Sequence, residues 1–301
     1  PRPSLRKQEW VVALLQFCLI DFPGKDLNGL PLAILSDKRL HTFGFFHNVA
    51  FFASEIERKI FANEPQWFID PTFANNSGLS SPIPEAGLQN MTVDDVIDNL
   101  TAVIPDENDE LSWQHDGKEY PNSKWLIILY QYLVEKKSVG SKADVLKKIP
   151  LVPDQFSKLW KMGTTSTPLL VPSDINKDLL EALQLLGLPL ITGTDGLISA
   201  IRDFRRLFPG QFIWHVTGPD LVDLLDANAA KLEEKTKNLD QKILEPILDF
   251  LSDEKYYEEY SSNSQIEKLK GFPILFSEDG QILKPNQDNI FISAGQIPPP
   301  V

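Results

Sequence analysis

Four copies of one six-residue pattern constrain this chain more than any other feature of its sequence. The pattern is leucine, two variable residues, an apolar residue, proline and then leucine or isoleucine, and it occupies residues 27–32, 146–151, 185–190 and 269–274. Composition alone predicts well under one copy. Proline fixes φ and has no N–H to donate, so within a sheet it is tolerated at the first residue of a strand. The pattern therefore predicts a short strand just after each proline.

The flanking residues add a helix before this strand and a return strand after it. In three copies a glycine stands two residues before the proline, and glycine commonly ends a helix because it tolerates positive φ. The first and last copies continue alike through 34–40 and 275–282, as an apolar run, polar turn residues and an apolar return. This predicts helix–hairpin units. The alternative is a common helix-to-strand junction without any repeat, and it gives the same α+β layout.

The predicted fold class is α+β, with repeated modules of a helix plus a β-hairpin, elongated, with mixed helices and small antiparallel sheets. Irregular spacing between the copies argues against a regular solenoid. We divide the chain into a first helix–hairpin module at 1–105, a second module with a helical insertion at 119–237, and a third, incomplete module at 238–301. Residues 106–120 are the expected polar connector. Because the chain starts at Pro1 and closes on prolines, we expect a segment of a longer protein.

Local signals predict where several helices begin and end. Thr92 begins a capping-box sequence and predicts a helix over 93–103, while Asn122 or the residue after it predicts a helix over 124–136. The high apolar density of residues 10–20 predicts a largely buried helix. Further helix starts are expected at Asn176, Leu197 and Pro219.

Charge, cysteine content and hydropathy exclude several classes of function. The formal net charge is −13, which argues against nucleic-acid binding, because that binding relies on Lys and Arg to neutralise phosphates. Cys18 is the one cysteine, so neither a disulfide framework nor a Cys-rich metal site can form within the chain, and we expect a small buried side chain there. No apolar run approaches the ~18 residues that span a bilayer, so no membrane partner is expected. These features fit a reducing compartment, and we expect a cytoplasmic location.

No motif for catalysis, cofactor binding or metal binding is present, so we predict no catalytic, cofactor-binding or metal-binding residues and no cofactor. The sequence lacks a phosphate loop, a His-Glu-x-x-His motif and a Gly-x-Ser-x-Gly elbow. His215 is expected to be a strand histidine with a local partner. An acidic run is expected to be a solvated loop, since unpaired like charges repel, with a metal or basic-partner site as the alternative: Asp106, Glu107, Asp109 and Glu110.

Longer segments around these motifs resemble the repeat region of the sacsin family. The helix–hairpin pieces are 27–40 and 269–282, and a helix start before such a hairpin lies at 121–126. Further similar segments are 149–153, 168–173 and 180–187. The resemblance implies a segment of a giant cytosolic chaperone or scaffold protein, linked to protein quality control and intermediate filaments. Its partners would be protein clients or neighbouring domains of the same protein.

The ATPase-like domain of that family is expected to lie outside this chain. Its nucleotide fold needs Glu-x-x-x-Asn on a helix and Asp-x-Gly-x-Gly for the base. Glu259 to Asn263 matches the first motif by letters but lies in a polar, serine-rich stretch, and Asp-x-Gly-x-Gly does not occur. The resemblance therefore implies that any ATP binding belongs to neighbouring segments.

Three functional hypotheses differ in what the folded chain must show. The first is a non-catalytic segment that binds clients or partners, or positions an ATPase-like domain outside the chain. The alternative is a hydrolase-type enzyme with His41, His47 or His215 beside a carboxylate of shifted pKa in a deep pocket. The third is a purely architectural spacer, which needs no exposed apolar patch. Five phenylalanines are expected in the core, although some are candidates for such a patch: Phe43, Phe45, Phe46, Phe51 and Phe52.

Overall fold

A computed structural model gives the arrangement of most of the chain. It describes residues 5–21, 27, 29–43, 49–79, 81–84, 87–104, 110–114, 117, 121–137, 142–163, 167–171, 176–207, 213, 218–227, 241–252, 263–271, 275–276 and 282–283. Within these ranges the fold is mixed α+β, as predicted, with helices and sheets of two or three short strands. The repeated and elongated arrangement stays a prediction.

The elements follow one another in short segments. The helices are α1 Leu5–Asp21, α2 Glu55–Ile60, α3 Pro71–Ser77, α4 Val93–Asn99, α5 Ser123–Lys136, α6 Ala143–Leu146, α7 Lys177–Leu185, α8 Asp195–Leu207, α9 Gly218–Ala227, α10 Gln241–Ser252 and α11 Asn263–Lys270. The strands are β1 Ala33–Ile34, β2 Leu40–His41, β3 Ala50–Phe52, β4 Leu88–Asn90, β5 Glu110–Ser112, β6 Val152–Pro153, β7 Lys158–Trp160, β8 Leu275–Phe276 and β9 Ile282–Leu283. No helix in the described ranges has both the length and the apolar character to cross a bilayer.

The chain divides into two compact units that differ in extent from the three predicted modules. The first unit comprises residues 1–106 with 116–146, and the second comprises 107–115 with 147–301. Part of the predicted polar connector is a strand, because β5 pairs with β7 and so belongs to the second unit. The second module is predicted to begin at residue 119, yet α5 and α6 belong to the first unit. The division of the chain into three helix–hairpin modules therefore stays a prediction.

Capping explains why the helices begin where the sequence predicts. Thr92 accepts from the backbone N–H of Asp95, whose carboxylate accepts from the N–H of Thr92, so α4 begins on a complete capping box. The Asn122 side chain accepts from the N–H of Trp125 at 3.0 Å and begins α5. Asn176 caps α7 in a similar way. Each cap satisfies backbone donors that a helix start would otherwise leave free.

Three of the four proline junctions lead into hairpins with one shared register. In each, the strand starts two residues after the proline, and its first residue pairs eight positions later: Ala33 with His41, Val152 with Trp160, and Leu275 with Leu283. All three hairpins are antiparallel. The predicted strand starts are therefore confirmed at these copies, including one at residue 146–151 where the pattern contains no glycine.

The loops of the first two hairpins also share a backbone conformation. Lys38 and Ser157 occupy equivalent positions and both have left-handed φ, +67° and +60°. The N–H of Lys38 donates to the carbonyl of Leu35 at 2.8 Å, which closes the turn that precedes this residue. A turn followed by one left-handed residue is a common three-residue hairpin loop. In the third hairpin the equivalent sequence position is Gly280, which lies outside the described residues.

Around the third copy of the pattern, at 185–190, the chain does not form a hairpin. α7 ends at Leu185, Gly187 has φ +71°, and Leu190 forms a parallel bridge with Leu169. The side chain of Gln155, in the loop of the second hairpin, fastens this segment. Its Nε2 donates to the carbonyl of Leu188 at 2.7 Å, and its Oε1 accepts from the N–H of Leu190 at 2.7 Å.

The expectation of small antiparallel sheets is wrong for one strand pair. β3 and β4 are parallel, with Ala50 opposite Leu88 and Phe52 opposite Asn90. A parallel pair needs a long crossover between its strands, and here the connection includes α2 and α3. The proline pattern involves residues that are close in sequence, and it carries no information about a pairing between strands that are 38 residues apart.

Two long-range hydrogen bonds fasten α5 onto α2 in the first unit. The buried Glu57 accepts from the Tyr132 hydroxyl at 2.8 Å and from the N–H of Ser54 at 2.6 Å, so one carboxylate joins a helix cap to a second helix. The Trp125 indole donates to the carbonyl of Ile60 at 2.8 Å. Burial raises the pKa of the Tyr132 hydroxyl, and the hydrogen bond to Glu57 raises this pKa further. The phenol therefore stays protonated and remains a donor.

Replacing Tyr132 with Phe is expected to lower the free energy of unfolding by about 1–3 kcal/mol. The variant leaves one oxygen of a buried carboxylate without its donor, and hydrogen bonds to charged groups contribute on this scale. Urea unfolding of the single variants Tyr132→Phe and Glu57→Ala and of the double variant measures the coupling. A coupling energy near zero would show that the bond contributes nothing to stability.

Substitutions at Ser157 test the left-handed position of the second hairpin. A left-handed residue costs an L-amino acid about 1–2 kcal/mol, and glycine avoids this cost. We expect Ser157→Gly to be more stable than the matched variant Ser157→Val by about 1–2 kcal/mol in thermal or urea unfolding. Equal stabilities of the two variants would mean that the residue is not held at positive φ.

Candidate protein-binding face on α1

One face of α1 belongs to the core of the first unit. Val11, Leu15 and Cys18 are buried, and they pack in a cluster that includes Ala33 of β1 and Phe73 of α3. Their spacing places them on one side of the helix. The buried Cys18 agrees with its predicted role as a small core side chain.

The opposite face of α1 carries large apolar side chains in solvent. Trp10 is 63% exposed, Phe17 58% and Ile20 82%, with exposed Ala13 between them. We name these four residues the α1 stripe. The prediction of a largely buried helix is wrong for this face, because the chain packs only one side of a helix that is apolar almost all round.

The α1 stripe is larger than an isolated exposed side chain. With about 150–250 Å² for a whole aromatic side chain, its three large members present roughly 400 Å² of apolar surface. Patches of this size on monomers are often functional. Burying each large side chain in a partner would contribute about 1.5–3 kcal/mol.

The stripe also has no charge of its own and sits on a helix that is held in place. Between Trp10 and Ile20 the one polar residue is Gln16, whose side chain donates to the carbonyl of Asn76 in α3 at 2.7 Å. This bond joins α1 to α3 in the orientation that core packing of the opposite face gives to the helix, with the stripe outward. The arrangement suits contact with an apolar surface and offers nothing to a charged ligand.

A groove between α1 and α3 adjoins the stripe at Ala13, and its lining residues also include Lys38 and Asp70. One Asp70 oxygen accepts from the N–H of Phe73 at 2.9 Å, which caps α3, and the other is paired with Lys38. Both carboxylate oxygens are therefore engaged. Arg58 lies nearby and donates to the carbonyl of Ile69 at 2.8 Å. These contacts hold the loop and helix together and give Asp70 a structural role.

Of the four histidines, the structure describes only His41. It lies in β2, and its buried Nε2 has no hydrogen-bond partner among the residues that the structure describes. Burial lowers the pKa of His41, so the ring is held neutral. The hydrolase hypothesis requires a carboxylate beside such a ring, and no hydrogen bond or ion pair in the described part of the chain joins His41 to one. His47, His115 and His215 lie outside the described residues.

Carboxylates do gather in the second unit, in a groove between α7 and α10. Its acidic lining residues are Asp178, Glu181, Glu245 and Asp249. They do not form a metal site: over the ranges that the structure describes, no three His, Cys, Asp or Glu side chains are grouped to hold a metal ion. In the predicted acidic loop, Glu110 begins β5, while residues 106–109 lie outside the described ranges.

The phenylalanine-rich region does not supply the exposed aromatic surface. Phe43 and Phe51 are buried, and Phe52 is half-buried. Phe45 and Phe46 lie outside the described residues. The segment Glu259–Asn263, which matches the Glu-x-x-x-Asn motif by letters, also lies outside the described residues, except that Asn263 begins α11. In the sequence, the stripe corresponds to apolar residues at positions 10, 13, 17 and 20. Their spacing does not stand out, because nearly all residues between them are also apolar.

Acidification is expected to destabilise the first unit through His41. Its pKa is lowered in the folded chain, so on acidification from pH 7.5 to 5.5 the unfolded chain, with a pKa of about 6.5, takes up the proton first. The stability contributed by the neutral ring is present above about pH 6.5 and is lost as pH falls towards the folded pKa, by at most about 1.4 kcal/mol per pH unit.

Urea unfolding at the two pH values checks this for the wild type and for His41→Phe. The loss of stability between pH 7.5 and 5.5 should be smaller in the variant, whatever its absolute stability. An equal loss in both proteins would show that His41 is as easily protonated in the folded chain as in the unfolded one.

No protein-family model matches this sequence, and neither a curated protein nor a solved structure matches it at a significant level.

Proposed function

We propose that the chain is a non-catalytic segment of a large sacsin-like chaperone or scaffold protein of the cytoplasm. In this proposal it binds protein clients or partners through the α1 stripe. Any ATPase-like domain that it positions lies outside the chain. The proposal joins the sequence resemblance to the exposed apolar face of α1.

The exposure of the α1 stripe is the observation that carries the proposal. A spacer and a partner-binding segment differ in whether a large apolar surface remains exposed after folding. Trp10, Phe17 and Ile20 keep more than half of their surface in solvent. Tryptophan is also among the side chains that contribute most to protein interfaces. These features favour partner binding over a spacer.

The shared hairpin register supports the sacsin-like part of the proposal. The resemblance rests on helix–hairpin pieces at 27–40 and 269–282, and the two hairpins there have equal strand offsets. The hairpin at 152–160 has the same offset. Equivalent local structure at separate places along the chain is the expected property of related modules.

An aggregation assay tests the proposed binding. We expect the wild type to reduce light scattering by a heat-unfolded client enzyme, and Trp10→Lys or Phe17→Lys to lose most of this effect, because a lysine in the stripe cannot be buried against an apolar segment. The matched control is Phe156→Lys, which changes a 51% exposed aromatic in the second unit and should behave as the wild type.

Two results would oppose the proposal. One is a wild type that neither reduces scattering nor binds apolar peptides. The other is a Phe17→Lys variant that is as active as the wild type, which would place any binding elsewhere. Circular dichroism of each variant must match the wild type, so that loss of folding is not mistaken for loss of binding.

A further inference from the structure

The spacing within the α1 stripe is that of a coiled-coil seam. Positions 10, 13, 17 and 20 are separated by three, four and three residues, which is the a–d–a–d pattern of a heptad repeat. Such a seam packs along another helix in successive layers. The inner face of α1 is already used in the core, and no described helix of the first unit covers this seam.

The order of side-chain sizes in the stripe suits a second copy of the same helix in antiparallel orientation. Antiparallel pairing about the middle of the stripe places Trp10 opposite Ile20 and Ala13 opposite Phe17. The small Ala13 then leaves room for Phe17 of the other copy, and every layer holds one larger and one smaller side chain. A symmetric pair repeats this fit on both sides.

Parallel pairing of two copies is much less favourable. It places Trp10 against Trp10 and Phe17 against Phe17, and leaves an Ala13–Ala13 layer between these two crowded layers. Close packing penalises both the overfilled layers and the void between them. The size pattern thus selects the antiparallel pair.

We propose that two copies of this chain associate through their α1 stripes in this antiparallel register. The inference rests on the proposed function, since it uses the same face and names its occupant. Residues 10–20 carry no charge, so the four layers of the pair contain no like charges; the acidic positions 9 and 21 stand opposite each other at the two ends and weaken the pair.

The area of the stripe sets the expected strength of this association. Two stripes of roughly 400 Å² bury about 800 Å², less than the 1,200–2,000 Å² of stable complexes. The dimer is therefore weak and depends on protein concentration. A weak pair also leaves the stripe available to clients at low concentration, so client binding and self-association compete.

Sedimentation equilibrium over a hundredfold range of concentration tests the association. We expect the wild type to shift from monomer towards dimer as its concentration rises, and Phe17→Lys to stay monomeric. Ala13→Trp should also stay monomeric, because it fills the space that Phe17 of the other copy needs. Phe156→Lys is the matched control and should dimerise as the wild type does. A wild type that is monomeric at every concentration overturns the proposal.

Disulfide formation tests the orientation. Ala13→Cys and Phe17→Cys are made as separate proteins, one of them with a tag that changes its size, and are oxidised alone and as a mixture. Antiparallel pairing predicts a covalent dimer of the two different variants in the mixture and little from either alone. Self-linked dimers of each variant would show parallel pairing and overturn the proposal. The wild type, with the buried Cys18, is the control for background oxidation.

The two measurements separate this inference from the proposed function. A wild type that is monomeric but reduces client aggregation through Phe17 contradicts the proposed dimer and still supports client binding. A wild type that neither dimerises nor binds clients contradicts both. Added client peptide should lower the dimer fraction, and an unchanged fraction at saturating peptide would place the dimer contact outside the stripe.

Discussion

The packing of α1 through Val11, Leu15 and Cys18 is the constraint on which the properties of the first unit depend. These side chains fill the core beside the first hairpin and so determine the rotation of the helix. The bond from Gln16 to the carbonyl of Asn76 holds the same rotation from the polar side. Once the rotation is fixed, Trp10, Phe17 and Ile20 face solvent, while the flanking residues Val12, Leu14 and Leu19 pack partly against the core. The exposed stripe is thus a consequence of core formation, and its size pattern makes it suitable for a partner.

The features that sequence analysis predicted well are determined by residues close together along the chain. Thr92, Asn122 and Asn176 begin helices because a side chain caps backbone groups two or three residues away. The hairpins after Pro31 and Pro273 likewise depend on local geometry. Pairings between distant segments were missed: the parallel contact of β3 with β4 and the addition of β5 to β7 depend on how whole helices are arranged.

The candidate site could be predicted only in part, for a physical reason that its residues show. A helix with apolar residues on one side reveals its buried face by periodicity, but residues 10–20 are apolar on every side. The periodicity therefore could not separate Val11, which enters the core, from Trp10, which does not. One useful local signal was overlooked: Ser54 and Glu57 have the spacing of a capping box, and this box begins α2 and holds the carboxylate that Tyr132 contacts.

The side chain of Gln155 has a consequence for the chemical durability of the second unit. Its amide supplies one donor and one acceptor to Leu188 and Leu190, as a neighbouring strand would. Deamidation would convert the donating nitrogen to a carboxylate oxygen, which would then face the carbonyl of Leu188 with no hydrogen between them. The hairpin loop would lose half of its attachment to the segment after α7. Slow deamidation of Gln155 would therefore loosen the contact between the second hairpin and the segment after α7, which are far apart in sequence, with no change in any apolar contact.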